Sequence, residues 1–427
     1  MDTIFAVSSG APPAAIAVLR ISGARAFAAV QQLAGDVPVA RHAALRTLRD
    51  THGEPLDQAL VLVFPGPRSA TGEDLAELHL HGGRAVVRAV EAALGAMEGL
   101  RAAEAGEFTR RALLNGRLDL TAAEGLGDLL MAETEAQRRA AVRTAGGAVR
   151  RHAEDWTARL VGIAARIEAE LDHGDEDDVA GVDPLPALRC AAAALGHDIA
   201  AVASRPPVER LRDGLRVVLG GPPNAGKSTL FNALAERDAA IVSPIAGTTR
   251  DRIEVPVVRE GVAWLLVDTA GLAEAMDDPI EAIGVARARD ALDEADLLLW
   301  LGDDAPPAHP SALWVHARAD AADRPEAHRA QIVVSVHEGR GVDALWQRMA
   351  IAAAALLPPP DLVALNARQR EWCLVAVEAL GRAAALEDPL LFAEELRAGR
   401  RALDAITGRA AVEDVLDALF GKFCIGK

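Results

Sequence analysis

The sequence predicts a multidomain protein of mixed α/β and α+β class. It reads as an N-terminal α+β domain, a discontinuous helical domain, and an α/β domain with a mainly parallel sheet inserted into the helical one. Three observations carry this. The chain has 427 residues, enough for two to four domains at roughly 100–200 residues each. Strand-like and helix-like runs alternate only between Gly214 and about Leu357. An Ala/Leu/Glu/Arg helical texture stops before that stretch and returns after it, which marks an insertion rather than a succession of domains.

Taken in order, residues 1–115 hold short mixed runs, IAVLRISG, ALVLVFPGP and LAELHLHGG, broken by Gly and Pro, with a helix near 84–98. Residues 116–212 change to long amphipathic stretches, proline-free from Leu118 to Leu171, which predict helices. The acidic stretch DHGDEDDVAGVDP at 172–184 reads as a solvated loop, and the next helix, 185–204, is stopped by Pro206 and Pro207. In residues 213–358 the strand candidates are LRVVLG (215–220), AWLLVD (263–268), DLLLWL (296–301), ALWVHA (312–317) and QIVVSV (331–336). Helical spacing between most of them predicts a parallel sheet covered on both faces. A helix over 341–357 ends at Pro358-Pro359-Pro360, a stiff linker, and residues 359–427 return to helices.

Composition narrows the function. Hydrophobic residues make up 51% and aromatics only 3%, so the cores are aliphatic and helix-rich. A net charge of −17 argues against tight, sequence-blind nucleic-acid binding, which needs clustered cations, so RNA contacts are local or shared with a partner. Cys190, Cys373 and Cys424 lie far apart with no CxxC pair, which excludes a disulfide framework or a zinc site of the usual spacing. No apolar run approaches the roughly 20 residues of a membrane span. The opening MDTIFAVSSG carries neither a positive charge nor a long apolar block, and a cytoplasmic protein without membrane contact is expected. Of 45 basic residues, all but Lys227, Lys422 and Lys427 are arginine. A compact ammonium and a guanidinium fork are not equivalent at a crowded phosphate site, so the three lysines are candidates for specific work.

The sharpest motif is Gly221-Pro-Pro-Asn-Ala-Gly-Lys-Ser228, a GxxxxGKS loop placed after a strand and before a helix. In that setting backbone N–H groups and the helix N-terminus face phosphates, Lys227 reaches the β and γ phosphates, and Ser228 ligates Mg²⁺. The loop residues Asn224, Ala225, Gly226, Lys227, Ser228 and Thr229 are therefore the nucleotide contacts. Asp268-Thr269-Ala270-Gly271 follows a strand, where the aspartate acts on Mg²⁺ through water and the glycine amide senses a γ-phosphate. Between the two motifs, Gly247-Thr248-Thr249-Arg250-Asp251 supplies a threonine for the Mg²⁺ shell. Three motifs in that order point to a GTPase switch. The usual base-reading Asn-Lys-x-Asp appears here as Ala317-Arg318-Ala319-Asp320. Asp320 still accepts two guanine hydrogen bonds but an asparagine amide is lost, which at roughly 0.5–1.5 kcal/mol predicts weaker nucleotide affinity with guanine preference kept. Ser335 in SVHEG marks the last base-contact loop.

GGPPNAGKST, AAIVSPIAGTTRD, DTAGLAEA and the terminal ITGRAAVEDVLDALFGKFCIGK closely resemble the family of tRNA uridine-5-carboxymethylaminomethyl modification GTPases, known as MnmE or TrmE. The resemblance spans nearly the whole chain, beginning with DTIFAVSS and continuing through TGEDLAELHLHGG and GEFTRRALLNGRLDLTAAEG, and the ending Cys424-Ile-Gly-Lys427 is its most specific signal. It implies an N-terminal folate-binding domain, a discontinuous helical domain and an inserted G domain. By position it implies that Arg20, Glu77, Arg117 and Lys427 contact a tetrahydrofolate derivative, 5-formyl or 5,10-methylene, with Arg117 standing where a lysine is common. It also implies potassium-activated hydrolysis without an arginine finger. Asn224, Ser243, Ile245 and Thr248 would hold K⁺, Ser228 and Thr249 would hold Mg²⁺, and the loop residues Ser243, Pro244, Ile245, Ala246, Gly247, Thr248 and Thr249 would surround GTP. Glu281 in PIEAIG matches a glutamate that orients the attacking water, one residue further from DTAG than the pattern has it. Ala273 stands where an arginine often follows DTAGL.

The partners so implied are the FAD-dependent MnmG, in a heterotetramer, tRNA bound mostly through MnmG, and a second copy of the chain joined through the N-terminal domain. The reaction implied is attachment of a one-carbon unit plus glycine or ammonium to C5 of the wobble uridine. A thiolate at Cys424 between Lys422 and Lys427 would have a lowered pKa, although packing near the folate pocket is the simpler role for that tail. The alternative reading, a GTPase switch in ribosome assembly without modification chemistry, calls for an appended RNA-binding module such as a GxxG segment with basic flanks, and the sequence offers none.

Overall fold

A computed structural model describes residues 2–173, 183–236, 253–268, 292–321, 324, 330–408, 419–421, 423 and 426. By compactness the chain forms two units, one of residues 1–127 with 404–427 and one of residues 128–403, a coarser division than the four sequence segments.

The first unit is built on a six-stranded sheet. Its strands are β1 (Thr3–Val7), β2 (Ile16–Ser22), β3 (Ala44–Arg49), β4 (Pro55–Phe64), β5 (Leu75–His81) and β6 (Leu100–Ala102), in the order β3-β4-β5-β2-β1-β6. Only β1 and β6 run parallel. Helices α1 (Ala26–Ala34) and α2 (Arg84–Gly95) pack on one face, followed in the chain by α3 (Glu107–Leu114) and α4 (Leu120–Met131). Strict alternation decides which face each residue takes. Ala17, Leu19 and Ile21 of β2, Ala59, Val61 and Val63 of β4, and Ala76, Leu78 and Leu80 of β5 enter the core with Val30, Leu33, Val87, Val90 and Leu94 of the helices. The interleaved residues Val18, Arg20, Leu60, Glu77 and His79 are left on the opposite, accessible face. Near the end of the chain, Phe420 and Phe423 bury against Leu120 and Ala123 of α4.

The second unit starts with α5 (Glu135–Ala145), α6 (Ala148–His173), α7 (Leu185–Ala203) and the single turn α8 (Glu209–Arg212). The α/β part follows: β7 (Leu215–Gly220), α9 (Lys227–Glu236), β8 (Ile253–Arg259), β9 (Val262–Asp268), β10 (Leu297–Trp300), β11 (Ala312–His316), β12 (Ile332–Val333) and α10 (Val342–Leu356). Its six strands lie in the order β12-β11-β10-β7-β9-β8, all parallel except the edge strand β8. Burial is continuous along β7, where Val217, Val218 and Leu219 are all inaccessible, as a sheet covered on both faces requires. Two helices, α11 (Ala367–Ala385) and α12 (Pro389–Thr407), then return to the helical part. Asn366 opens α11 with a reciprocal cap to Gln369, and Thr134 opens α5 in the same way with Gln137.

The mainly parallel sheet and the helices on either side of it match the sequence expectation, with two differences. The antiparallel β8 was not among the strand candidates, and of QIVVSV only Ile332–Val333 forms a strand. Among the described helices, α7 is long and apolar enough to cross a membrane. Its Leu188, Ala192, Leu195 and Ile199 are instead fully buried within the unit, and Gly196 lets it approach Leu380 of α11.

The two chain segments that enter and leave the α/β part run side by side. Val208 N donates to Leu365 O at 3.1 Å, and Ala367 N donates to Glu209 Oε1 at 2.7 Å. Arg205 donates to Val363 O (3.1 Å), Arg143 to Leu362 O (3.0 Å), and Gln137 Nε2 to both Leu211 O and Arg212 O (3.0 Å each). Between these segments and α5 lies a cavity of about 270 Å³, lined by residues that include Ala140, Val208, Leu357, Pro359 and Val363.

Candidate functional site

Strand β7 ends at Gly220 and α9 begins at Lys227, so the loop between them sits at the C-terminal edge of the parallel sheet, where ligands bind in folds of this kind. Its shape needs glycine at both ends. Gly221 has φ +148°, with space for a Cβ closed by the Leu301 carbonyl carbon at 3.2 Å, and Gly226 has φ +95°. Asn224, without that freedom, is also left-handed at φ 62°. Ala225 is buried, whereas Ser228 and Thr229 are at least partly exposed in the first turn of α9. The Lys227 ammonium donates to Gly221 O (3.0 Å) and Pro222 O (2.9 Å), which holds it over the loop. Desolvation pushes its pKa below the ordinary lysine value, and the Asp268 carboxylate acts in the opposite sense.

Asp268 is the last residue of β9, in register with Leu219 of β7 and nearly buried. The sheet thus places this aspartate beside the strand that leads into the phosphate loop. The other predicted contacts, Ser243, Pro244, Ile245, Ala246, Gly247, Thr248 and Thr249, the segment Thr269-Ala270-Gly271, and Glu281, lie outside the described residues.

The loops after β11 and β12 carry Asp320 and Ser335, the residues expected from the sequence to contact a base. Asp320 accepts a hydrogen bond from Ser335 Oγ at 2.7 Å, and that hydroxyl in turn accepts from Glu338 N at 3.2 Å. Ser335 is fully buried and its backbone forms a two-way bridge with Arg340. The Ser335 hydroxyl, and then the backbone N–H of Asp320, hold the Asp320 carboxyl below its usual range. The carboxylate is therefore ionised and oriented, as needed to accept two N–H groups from a guanine edge.

In the first unit, β2 and β5 place Arg20 directly opposite Glu77. Arg20 Nε and Nη2 both reach Glu77 Oε1, at 3.1 and 2.7 Å. The second carboxylate oxygen lies 3.4 Å from His79 Nε2, and the Arg20 guanidinium lies 5.9 Å from the centre of the Phe108 ring. Arg117, the third predicted folate residue, is exposed and donates from Nε to Ser69 O at 3.2 Å. Gly72 (φ +82°) makes room for it, since a Cβ there would lie 3.2 Å from Arg117 Cγ and 2.7 Å from Asn115 Cβ. Lys427 and Cys424 lie outside the described residues, but Gly426 is described: Ser8 Oγ donates to its carbonyl at 2.7 Å, just beyond β1. A Cβ at Gly426 would collide with the Val7 carbonyl, so the glycine of the CIGK ending is a steric requirement.

Sequence reasoning did not single out His79 or Phe108. His79 carried a readable signal, since it stands two residues from Glu77 on the same strand face. Phe108 comes from a helix distant in sequence, and nothing in its own neighbourhood gives it away.

The parallel sheet, phosphate loop, buried aspartate and oriented base-reading carboxylate define a P-loop GTP hydrolase. The profile of the GTP-binding protein TrmE N-terminus matches residues 3–117, and that of the MnmE helical domain matches residues 120–424. The chain belongs to the MnmE family of tRNA modification GTPases. It is 54% identical over 429 residues to the tRNA modification GTPase MnmE of Erythrobacter litoralis, covering all of both chains. The protein of the same name from Rhizorhabdus wittichii is 56% identical over 434 residues, covering all of this chain and 97% of its own. That of Novosphingobium aromaticivorans is 51% identical over 435 residues, covering all of both chains.

Proposed function

We propose that the chain is a potassium-activated GTPase that works with the FAD-dependent MnmG to install a carboxymethylaminomethyl or aminomethyl group at C5 of the wobble uridine, position 34, of certain tRNAs. The observation that carries this reading is the phosphate loop: Lys227 and Ser228 open α9 beside Asp268 at the C-terminal edge of the sheet.

On this reading Lys227 leaves its two carbonyl partners to meet the β and γ phosphates, and Asp320, held by Ser335, selects guanine. Ser228 and Thr249 would hold Mg²⁺ as hard oxygen donors, with Asp268 acting on it through water, and the ion would neutralise charge on the phosphates. Asn224, Ser243, Ile245 and Thr248 would hold K⁺, which supplies the transition-state charge that other GTPases take from an arginine. Asn224 fits this role, because its left-handed backbone sits at the centre of the phosphate loop and its side chain is exposed. Glu281 would orient the attacking water.

The N-terminal segment 1–115 is the folate-binding part, with 116–212 and 359–427 the helical part and 213–358 the G domain. The pairing of Arg20 with Glu77 Oε1 leaves the Oε2 side of the carboxylate toward His79, where pterin N–H groups find an acceptor. Arg117 and Lys427 suit the carboxylates of a folate glutamate tail. The tetrahydrofolate derivative supplies the one-carbon unit. A homodimer through the N-terminal domain, a heterotetramer with MnmG, tRNA held mostly by MnmG, and a cytoplasmic location complete the reading.

The test is GTP turnover by the purified chain in matched KCl and NaCl, with Asn224→Ala alongside. Strong stimulation by K⁺ that the variant loses supports the cation-activated mechanism. Equal turnover in both salts, or an Asn224→Ala variant as fast as wild type in KCl, refutes it.

A further inference from the structure

The accessible face of the first sheet carries cations beyond those already placed. Cross-strand register sets out that face in rows. In one row Arg20, Glu77 and Leu62 lie side by side on β2, β5 and β4. In the next, two residues further toward the loop 66–74, lie Ser22, Leu75 and Phe64. Two residues of strand and one strand spacing separate Phe64 from Glu77, a distance of about 8 Å. Arg41 stands at Phe64: its guanidinium lies 5.6 Å from the ring centre, and it donates to the Arg68 carbonyl. Arg117 donates from Nε to the carbonyl of the next residue, Ser69, at 3.2 Å. Two guanidinium groups thus grip successive carbonyls of one loop, and Arg68 adds a third arginine there; all three residues are exposed.

The loop that gathers them is firmly held. Ser69 and Thr71 are buried, Thr71 Oγ1 meets Ser22 Oγ at 2.7 Å, and Asn115 Nδ2 donates to Thr71 O at 2.8 Å. Arg41 has φ 65° and donates its backbone N–H to Val63 O at 2.9 Å. A residue with a side chain keeps that left-handed backbone only where its surroundings over-determine it, and such positions cluster at ligand clamps. Among the described residues none of the three arginines pairs with a carboxylate. The nearest acids are engaged elsewhere: Glu73 accepts from Ser22 and Arg111, and Asp74 accepts from Gly66 N at 2.9 Å. In a chain of net charge −17 such a cluster is a local exception, and it suits a local anion.

We propose that Arg41, Arg68 and Arg117 form a subsite for a γ-linked polyglutamate tail, so that the ligand class of the first unit is a folyl polyglutamate rather than a monoglutamate. The proposal rests on the folate reading of Arg20 and Glu77 and deepens it. A folate is longer than the separation of Glu77 from Phe64, so a pterin held at Glu77 delivers its glutamate end to the arginines. Each further γ-linked glutamate adds one α-carboxylate, and successive carboxylates suit guanidinium forks gathered on one loop. Arg117 takes the first glutamate, and Arg68 and Arg41 take those that follow. The overall field of an acidic chain repels a polyanion, so any gain from the longer tail arises at these contacts and fades as salt screens them.

The test is isothermal titration of the full-length chain with 5-formyltetrahydrofolate and with its triglutamate, at low and high salt, beside thermal melting without ligand. The triglutamate is expected to bind about tenfold tighter at low salt, as one partly screened charge-assisted contact implies, and the advantage should shrink as salt rises. Arg68→Ala combined with Arg41→Gln is expected to abolish that advantage while the monoglutamate affinity stays as it was. Equal affinity of the wild type for the two ligands overturns the proposal, as does an advantage that survives the double variant. If the double variant melts early, Arg68→Ala alone decides, since that side chain has no partner among the described residues. A reduced triglutamate advantage in it supports the subsite, and an unchanged one overturns it. Weakened tRNA binding by the variants with the triglutamate advantage intact also overturns the proposal and gives the patch to RNA phosphates. A wild-type chain that binds neither folate overturns the folate reading itself and the proposal with it, a result distinct from the others.

Discussion

Replacing Glu77 with glutamine tests the proposed folate pocket with little change of shape. Glu77 Oε1 takes two donors from Arg20, at 3.1 and 2.7 Å, from a directly opposed position on the neighbouring strand. Glutamine keeps one acceptor for Arg20, but it loses the charge and turns one carboxylate oxygen into a donor that a pterin N–H cannot use. A hydrogen bond to a charged group is worth about 1.5–3 kcal/mol. The two side chains are 24% and 18% exposed, so solvent reduces that figure. About 1.4 kcal/mol, a tenfold weaker affinity, is the expected loss for 5-formyltetrahydrofolate. Isothermal titration of the full-length chain with this ligand reads it directly, and thermal melting of the unliganded variant separates binding from folding. An unchanged dissociation constant for a well-folded Glu77→Gln would falsify the assignment of this carboxylate to the pterin.

Three further outcomes are expected. Gly72→Ala forces a side chain into a left-handed position against Asn115 and Arg117; it should destabilise the protein by about 1–3 kcal/mol and weaken folate binding, read by melting and titration together. Lys227→Ala removes the ammonium held over the phosphate loop, and mant-GTP titration should show an affinity loss of roughly a hundredfold, as expected for a desolvated charge-assisted contact. Burial pushes the Cys373 thiol up to about 12. Since the folded pKa is raised above the unfolded value, this thiol's contribution is complete below about pH 9 and is lost as pH climbs toward 12, by about 1.4 kcal/mol per unit. Urea unfolding across that window should be less steeply pH-dependent in Cys373→Ala than in wild type, and an identical slope would remove the thiol from the account.

The sequence was most legible where local pattern and tertiary role coincide. The run from Val217 to Gly220 is apolar because both of its faces are covered, and the glycines after it are needed for the left-handed turns of the phosphate loop. Strand β8 was missed because Pro256 interrupts IEVPVVR. A proline is tolerated there because, among the described residues, β8 is the edge strand of the sheet, the position to which proline in a sheet is confined. The long QIVVSV run shortens to two residues because the chain turns at Ser335 to bridge Arg340. Arg318 was visible as a departure from the motif, but its partner was not: the acceptor is a backbone carbonyl 94 residues earlier, and no residue type encodes a carbonyl. The same holds for Arg20 and Glu77, whose direct opposition depends on the register of two strands far apart in sequence.

The paired segments that lead into and out of the nucleotide-binding part have an evolutionary consequence. Arg143, Arg205 and Gln137 all grip main-chain oxygens on those segments, so the residues gripped are free to change identity while the seam persists. The two ends are already stitched together by the Val208 and Leu365 backbone bond. A GTPase cassette lifted out at this seam leaves a gap that a short turn closes, at little loop-closure entropy. The architecture is thus one into which a free-standing switch could be spliced, or from which it could be lost, without redesigning the bundle that carries it.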